Sequence, residues 1–207
     1  MTTSAGVTPG APGLILIIRH GEKPADGSSS DPAPASALVG VDSNGNRNQH
    51  SLTPRGWQRS GALTVLFAPA TGPLRDGLHT PSNLFSPHYG NSATTVAHRT
   101  YQTIQALSQR INVPIETPFE ESQEVDLIQT ILNTAGQTVL ICWEHHYIPA
   151  LATAVPTPTG TAIPSAWPGN RFDLIWCFSR APGTKKLYAF TQIPQRLLDG
   201  DAGTIIV

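Results

Sequence analysis

Two short stretches of the chain are almost wholly apolar, and the apolar residues around them recur at helical spacing. Leu14-Ile-Leu-Ile-Ile18, bounded by Gly13 and Gly21, is rich in β-branched residues and predicts a strand buried on both faces, the habit of a central parallel strand. Gln137-Thr-Val-Leu-Ile-Cys-Trp143 predicts a second, and Asn83 to Ser86 a shorter one. Between them Thr53 supplies an N-cap, Pro54 sits at the first helical position, and Trp57, Leu63, Leu66 and Phe67 line a helix that ends before Pro69. Val96, Thr100, Ile104, Leu107 and Ile111 stand at spacings of four and three, so a second helix is predicted from near Thr95. Gln123 to Leu132 reads as a third, and another follows from Ile148. Phe172 to Phe178 and Lys186 to Ile193 flank Arg180-Ala-Pro-Gly-Thr184, which has the composition of a hairpin turn. This order predicts an α/β fold, a three-layer α/β/α sandwich with a mostly parallel central sheet. One domain is expected over residues 1–207, with 1–13 as a flexible tail and Pro24 to His50, which has no period, as a long surface loop.

Composition narrows the partners. Charged residues make up 13% of the chain, against a usual share of about 25%, and Lys+Arg 13 against Asp+Glu 14 leaves no summed positive field for nucleic acid or an anionic membrane. Any anion must therefore be held locally. Apolar runs such as Leu14 to Ile18 are far short of the roughly 18 residues that span a bilayer. Met1 to Gly13 has no basic residue and leads into charged sequence without a cleavage site, so the cytoplasm is the expected compartment. Cys142 and Cys177 both fall in apolar runs and are expected to be reduced core thiols rather than a disulfide.

Both apolar strands stop at polar clusters: Arg19-His20-Gly21-Glu22-Lys23 after the first, and Glu144-His145-His146 after the other. Ligands of open α/β sheets bind beyond the carboxyl ends of the strands, so neighbouring strands would deliver His20 and His145 to one crevice. Arg99, in the first turn of the second helix, lies on the same side. Two histidines and two arginines there describe a phosphoryl site. Guanidinium forks neutralise a phosphomonoester dianion bidentately, and flanking cations keep a nucleophilic imidazole neutral. A second imidazole can donate to the phosphoryl oxygens in the transition state. Gly21 would give the phosphate room to approach, and Glu22, Lys23 and His146 are the adjoining residues expected at the substrate.

Four segments in order resemble the histidine phosphatase superfamily, also called phosphoglycerate mutase-like. Arg19-His20-Gly21-Glu22 is similar to its RHG signature, Leu52-Thr-Pro-Arg-Gly-Trp-Gln-Arg-Ser60 to its L(S/T)xxGxxQA segment, Arg99-Thr-Tyr-Gln-Thr103 to its RTxQT helix start, and Val139-Leu-Ile-Cys-Trp-Glu-His145 to its last core strand. The resemblance covers Leu14 to Ala152 and implies His20 as nucleophile, Arg19 and Arg99 gripping the phosphate, and His145 as the second pocket histidine. It also implies a proton-donating carboxylic acid after the second helix. Glu124 is the expected donor because it opens a helix near the crevice, with Glu121 second. Two departures stand out: Ser86 is separated from Arg99 by Pro87 to His98, and His146 follows the second histidine where Gly or Ser is common.

The expected activity is a phosphomonoester hydrolase acting on a small phosphorylated substrate, with no metal and no cofactor. A mutase using the same site is disfavoured because Arg47 is the single basic residue of the Pro24 to His50 stretch before His50 itself. A phosphate-binding scaffold without turnover is the rival from outside enzymes. A metal centre of His20, Glu144, His145 and His146 is disfavoured because adjacent extended residues point to opposite sides, and no HExxH, CxxC or GxxxxGK[ST] spacing occurs. His50, His79, His88 and His98 are expected to be solvated, and Trp57, Trp143, Trp167 and Trp176 to be packing residues.

Overall fold

The computed structural model describes residues 10–24, 39–88, 98–133, 138–180 and 187–207. β1 (Leu14–Arg19) and β4 (Thr138–Trp143) form where the two apolar runs stand, and they pair in parallel with Ile18 opposite Cys142 and Arg19 opposite Trp143. Their side chains alternate between two cores, so every residue of each strand is buried. Ile15, Ile17, Val139, Ile141 and Trp143 face one core with Leu127, Ile128, Ile131, Ile148 and Leu151 of α3 (Glu124–Leu132) and α4 (Ile148–Ala154). Leu14, Leu16, Ile18, Leu140 and Cys142 face the other, with Leu63, Leu66 and Phe67 of α1 (Pro54–Phe67) and Ile104 and Leu107 of α2 (His98–Ile111).

The result is the three-layer sandwich, on a mixed sheet of order β3-β2-β4-β1-β5-β6. β2 (Asn83–Phe85) and β3 (Ile115–Glu116) extend the parallel part, while β5 (Leu174–Arg180) and β6 (Tyr188–Pro194) form the antiparallel hairpin. β1 is thus parallel to β4 on one side and antiparallel to β5 on the other. The two-residue β3 is not predicted, because its half-exposed Ile115 and exposed Glu116 leave no pattern to read.

The ends of the elements agree with their local chemistry. Thr53 caps α1, its hydroxyl accepting from the Gly56 N–H at 3.2 Å, with Pro54 next. The expected start of α2 near Thr95 and the turn at 181–184 lie outside the described residues, as do 1–9 and most of the expected loop at 25–38. At the end of the expected tail, Pro12 O accepts from the Tyr188 hydroxyl at 2.7 Å and Gly13 O from Arg180 N at 2.9 Å. Cys142 and Cys177 are free and buried, on strands at either side of β1, where burial raises the Cys142 thiol's pKa and pushes that of Cys177 up to about 12. No described helix is long and apolar enough to cross a membrane.

Candidate active site

The parallel pairing of β1 and β4 brings their carboxyl ends together, and His20 N donates to Trp143 O at 3.3 Å. Ligand atoms of His20, Glu144 and His145 lie within 4.8 Å of one another. His20 is 2% exposed, and its Nδ1 lies 2.7 Å from Gly21 O. A carbonyl only accepts, so Nδ1 carries the hydrogen and Nε2 keeps the lone pair. Burial first, then the Arg19 and Arg99 charges, push the His20 pKa well below its ordinary value against the smaller opposing pull of Gly21 O and Glu144.

Arg19 is fully buried and is held by the loop that precedes β5. Its Nη1 donates to Gly169 O at 2.5 Å and Arg171 O at 3.1 Å, and its guanidinium lies 3.8 Å from the centre of the Phe172 ring. That ring also stands 6.0 Å from His20. The loop holding Arg19 is itself fixed, since Trp167 Nε1 donates to Arg171 O at 2.8 Å and Arg171 Nε to Asp173 at 2.7 Å. Arg99, half-buried, donates from Nη2 to Gln49 O at 2.7 Å.

The other motif residues build the floor beneath the nucleophile. Thr103 Oγ1 accepts from Gly21 N at 2.8 Å while donating to Arg99 O at 2.6 Å, so one hydroxyl ties the nucleophile's loop to the helix that carries the second arginine. Gln102 accepts from Leu52 N at 3.0 Å and donates to Ser51 at 3.0 Å. A Cβ on Gly21 would meet Gly56 O at 3.0 Å, and one on Gly56 would meet Glu22 O at 2.5 Å. Both glycines therefore allow two backbones to cross, and this packing is the reason for Gly21 that the structure supplies.

Glu22, expected at the substrate, turns to the scaffold instead. Arg55 Nε reaches it at 3.1 Å and Arg59 at 2.7 and 3.1 Å, and Arg59 continues to Asp201 at 2.7 Å and Gln195 at 3.0 Å. Asp201 in turn accepts from the N–H groups of Leu197 and Leu198. Lys23 follows Glu22, partly exposed.

His145 is 6% exposed, with Nδ1 against Oε1 of Glu144. Oε2 of Glu144 accepts from His146 N at 2.7 Å and lies 3.1 Å from His146 Nδ1, and the His145 and His146 rings lie 3.9 Å apart, tilted at 38°. His146 is exposed at the mouth, so His145 is the buried member of the pair. Burial raises the Glu144 pKa, but the His145 contact and the His146 N–H outweigh it and bring it down to about 2. The His145 pKa is lowered by burial and Arg19 against the pull of Glu144.

The two candidate acids differ. Glu124 is 4% exposed and its Oε1 accepts from Trp143 Nε1 at 2.9 Å and Ser122 N at 2.9 Å. The Glu121 carboxyl is pushed up to about 7 by burial, then by the Glu144 and Glu124 charges, against the opposing pull of Arg99. Its Oε1 is buried and accepts no hydrogen bond among the described residues. His98, at the first position of α2, is 7% exposed, not solvated as expected. Trp143, Trp167 and Trp176 are core residues as expected.

His20, Glu144 and His145 are a donor set that a zinc ion accepts, but Arg19 acts on both imidazoles and Arg99 on His20, and such cations oppose a metal ion there.

No family model matches the chain, and no curated protein matches it. Among solved structures it is similar to the protein histidine phosphatase SixA complexed with tungstate, at 14% identity over 88% of this chain and 97% of the other, TM-score 0.48. An α-ribazole-5'-P phosphatase structure from Escherichia coli is similar at 12% identity over 95% and 99%, TM-score 0.49. The ecdysone phosphate phosphatase from Bombix mori, also with tungstate, is similar at 11% over 93% and 97%, TM-score 0.40. In the order and spacing of its motifs the chain resembles the histidine phosphatase superfamily.

Proposed function

We propose that the protein is a phosphomonoester hydrolase working through a phosphohistidine on His20, without metal or cofactor. The observation that carries this reading is the state of His20, whose Nδ1 is engaged by Gly21 O while burial and Arg19 keep the ring neutral, which leaves Nε2 as a nucleophile beside a cationic field. Nε2 attacks phosphorus, the N–P bond forms, and the P–O bond to the leaving group breaks with its electron pair on oxygen. Arg19 and Arg99 offset the phosphoryl charge, and His145 donates to the equatorial oxygens. Water then attacks phosphorus, the N–P bond breaks, and inorganic phosphate leaves.

The departing oxygen needs a proton, and the reading assigns it to Glu121 in place of Glu124. A carboxyl pushed up to about 7 is substantially protonated near neutral pH and can donate, whereas Oε1 of Glu124 is occupied by Trp143 and Ser122. In the second step the Glu121 carboxylate takes a proton from the attacking water. Hydrolysis is favoured over mutase chemistry because Arg47, exposed on its turn, is the sole arginine or lysine between Pro24 and His50 to hold a polyanionic acceptor. Free Cys142 and Cys177 fit the reducing cytoplasm.

The test is a screen of aryl and alkyl phosphomonoesters with wild-type and His20→Ala protein, with and without chelator. Turnover that survives chelator and is lost in His20→Ala supports the reading. Turnover that chelator abolishes and zinc restores overturns it in favour of a metal centre.

A further inference from the structure

Glu144 is a carboxylate placed where an anion pocket would be expected to exclude one. Its side chain is 16% exposed; Oε1 lies in ion-pair contact with His145 Nδ1, and Oε2 accepts from His146 N at 2.7 Å and lies 3.1 Å from His146 Nδ1. The bond from His146 N holds the carboxylate beside the imidazole it touches. We propose that Glu144 is the positioning residue for His145, holding the proton on Nδ1 so that Nε2 serves the phosphoryl group, and balancing the second proton that His145 carries when it donates. This rests on the phosphatase reading above.

The argument follows from what faces His145. An imidazole that donates from Nε2 while Nδ1–H points at a carboxylate is an imidazolium, the arrangement in which an acid behind a histidine stabilises its charged form. Arg19 and His20 at the end of β1 and His146 beside it offer no negative charge, and Arg99 on α2 adds a further cation near His20. Glu121 and Glu124 before and at the start of α3 act on each other and, through Glu121, on Glu144. Among these groups Glu144 is the carboxylate in contact with the His145 ring, so it is the one that offsets the charge of the donating form.

The same charge has a second effect. Glu144 follows burial as the largest cause that keeps the Glu121 carboxyl protonated near neutral pH. Removing the charge at position 144 therefore lowers both pKa values, of His145 because its cation loses a partner and of Glu121 because its anion loses a repeller. Both changes move the basic limb of the pH–rate profile toward acid, which a merely structural role would not do.

The experiment compares Glu144→Gln, which keeps an oxygen for Nδ1–H but loses the charge, with Glu144→Asp, which keeps the charge on a shorter arm. Turnover of an alkyl phosphate is measured across pH, alongside the ring ¹⁵N titration of His145 in the resting protein and a thermal melt as a folding control. Glu144→Gln is expected to lower kcat about ten- to hundredfold with little change in KM, to move the basic limb down by about one pH unit, and to lower the His145 titration. Glu144→Asp should recover part of each. Wild-type kcat and limb in Glu144→Gln, or an unmoved His145 titration in an active enzyme, would overturn the proposal alone. Absence of turnover in the wild type would overturn the phosphatase reading and the catalytic half of this one, while the His145 titration would still report on the pairing with Glu144.

Discussion

Arg19 and Arg59 are both buried to within 1% of full enclosure and both belong to the architecture around the loop after β1, yet they are held in opposite ways. Arg59 is clasped by two carboxylates, Glu22 and Asp201, and by the Gln195 amide. Burial alone would lower its pKa, but those partners raise it above the ordinary value. Arg19 is held by the carbonyls of Gly169 and Arg171 and by the face of Phe172, and its charge acts on His20 and His145, whose pKa values it lowers. Carbonyls position a guanidinium without cancelling its charge; carboxylates cancel it. The Arg59 cluster joins three parts of the chain, while the Arg19 charge is felt by the two imidazoles beside it.

The comparison breaks most visibly at the nucleophile. His20→Ala is expected to reduce turnover by about four orders of magnitude or more while the melting curve stays near wild type, because no neighbour can form the N–P bond. A folded, active His20→Ala protein would remove the mechanism. At Arg59 the pattern should invert. Arg59→Ala leaves Glu22 and Asp201 facing each other in a buried site and is expected to cost about 3–5 kcal/mol of stability, read by denaturant unfolding. Arg59→Ala protein with wild-type stability would show that the ion cluster is incidental.

Arg99→Lys keeps the charge and loses the fork. A fall in kcat/KM of about ten- to a thousandfold is expected, since bidentate bonds that tighten in the transition state are worth a few kcal/mol. Unchanged kinetics would place Arg99 outside the pocket. Smaller still is the effect of Glu121→Gln, and it depends on the substrate. Alkyl phosphates should slow by about two orders of magnitude and lose the basic limb near pH 7, while nitrophenyl phosphate, whose leaving group needs little protonation, should slow only a few fold. Equal slowing of both would return the donor role to Glu124 or to His145.

Acid should also separate the two clusters. The pKa values of His20 and His145 lie below 6.5 when folded, so the unfolded chain binds more protons as pH falls below that value. Stability that these neutral rings leave intact above pH 6.5 is therefore lost on acidification below it. His20→Asn should flatten that dependence, and an unchanged slope would show that the ring is not held neutral.

Much of this was legible in the sequence because the relevant signals are local. Leu14 to Ile18 and Val139 to Trp143 are too apolar to be anything but buried strands, and Thr53-Pro54 announces its helix. The polar residues that end those strands meet because the two strands pair in parallel, which the sequence left as a condition. What escaped is what long-range packing creates. Glu22, Arg59 and Asp201 are joined across 37 and 142 positions, and no pattern in the chain links them. Glu121 and Glu124 look alike in sequence, and only the bonds from Trp143 and Ser122 to Glu124 distinguish them. His98 falls off the stripe formed by Thr100, Ile104 and Leu107, so its burial leaves no periodic trace.

The central claim is that His20, held neutral by burial and by Arg19, takes the phosphoryl group on Nε2. Rapid quenching of the wild-type protein during turnover of a ³²P-labelled phosphomonoester, with the label mapped by peptide digestion, tests it most directly. The account predicts an acid-labile, base-stable phosphoramidate on the peptide carrying His20, formed at a rate no slower than kcat and absent from His20→Ala. Steady turnover with no labelled His20 at any quench time, or label on another residue, would contradict it.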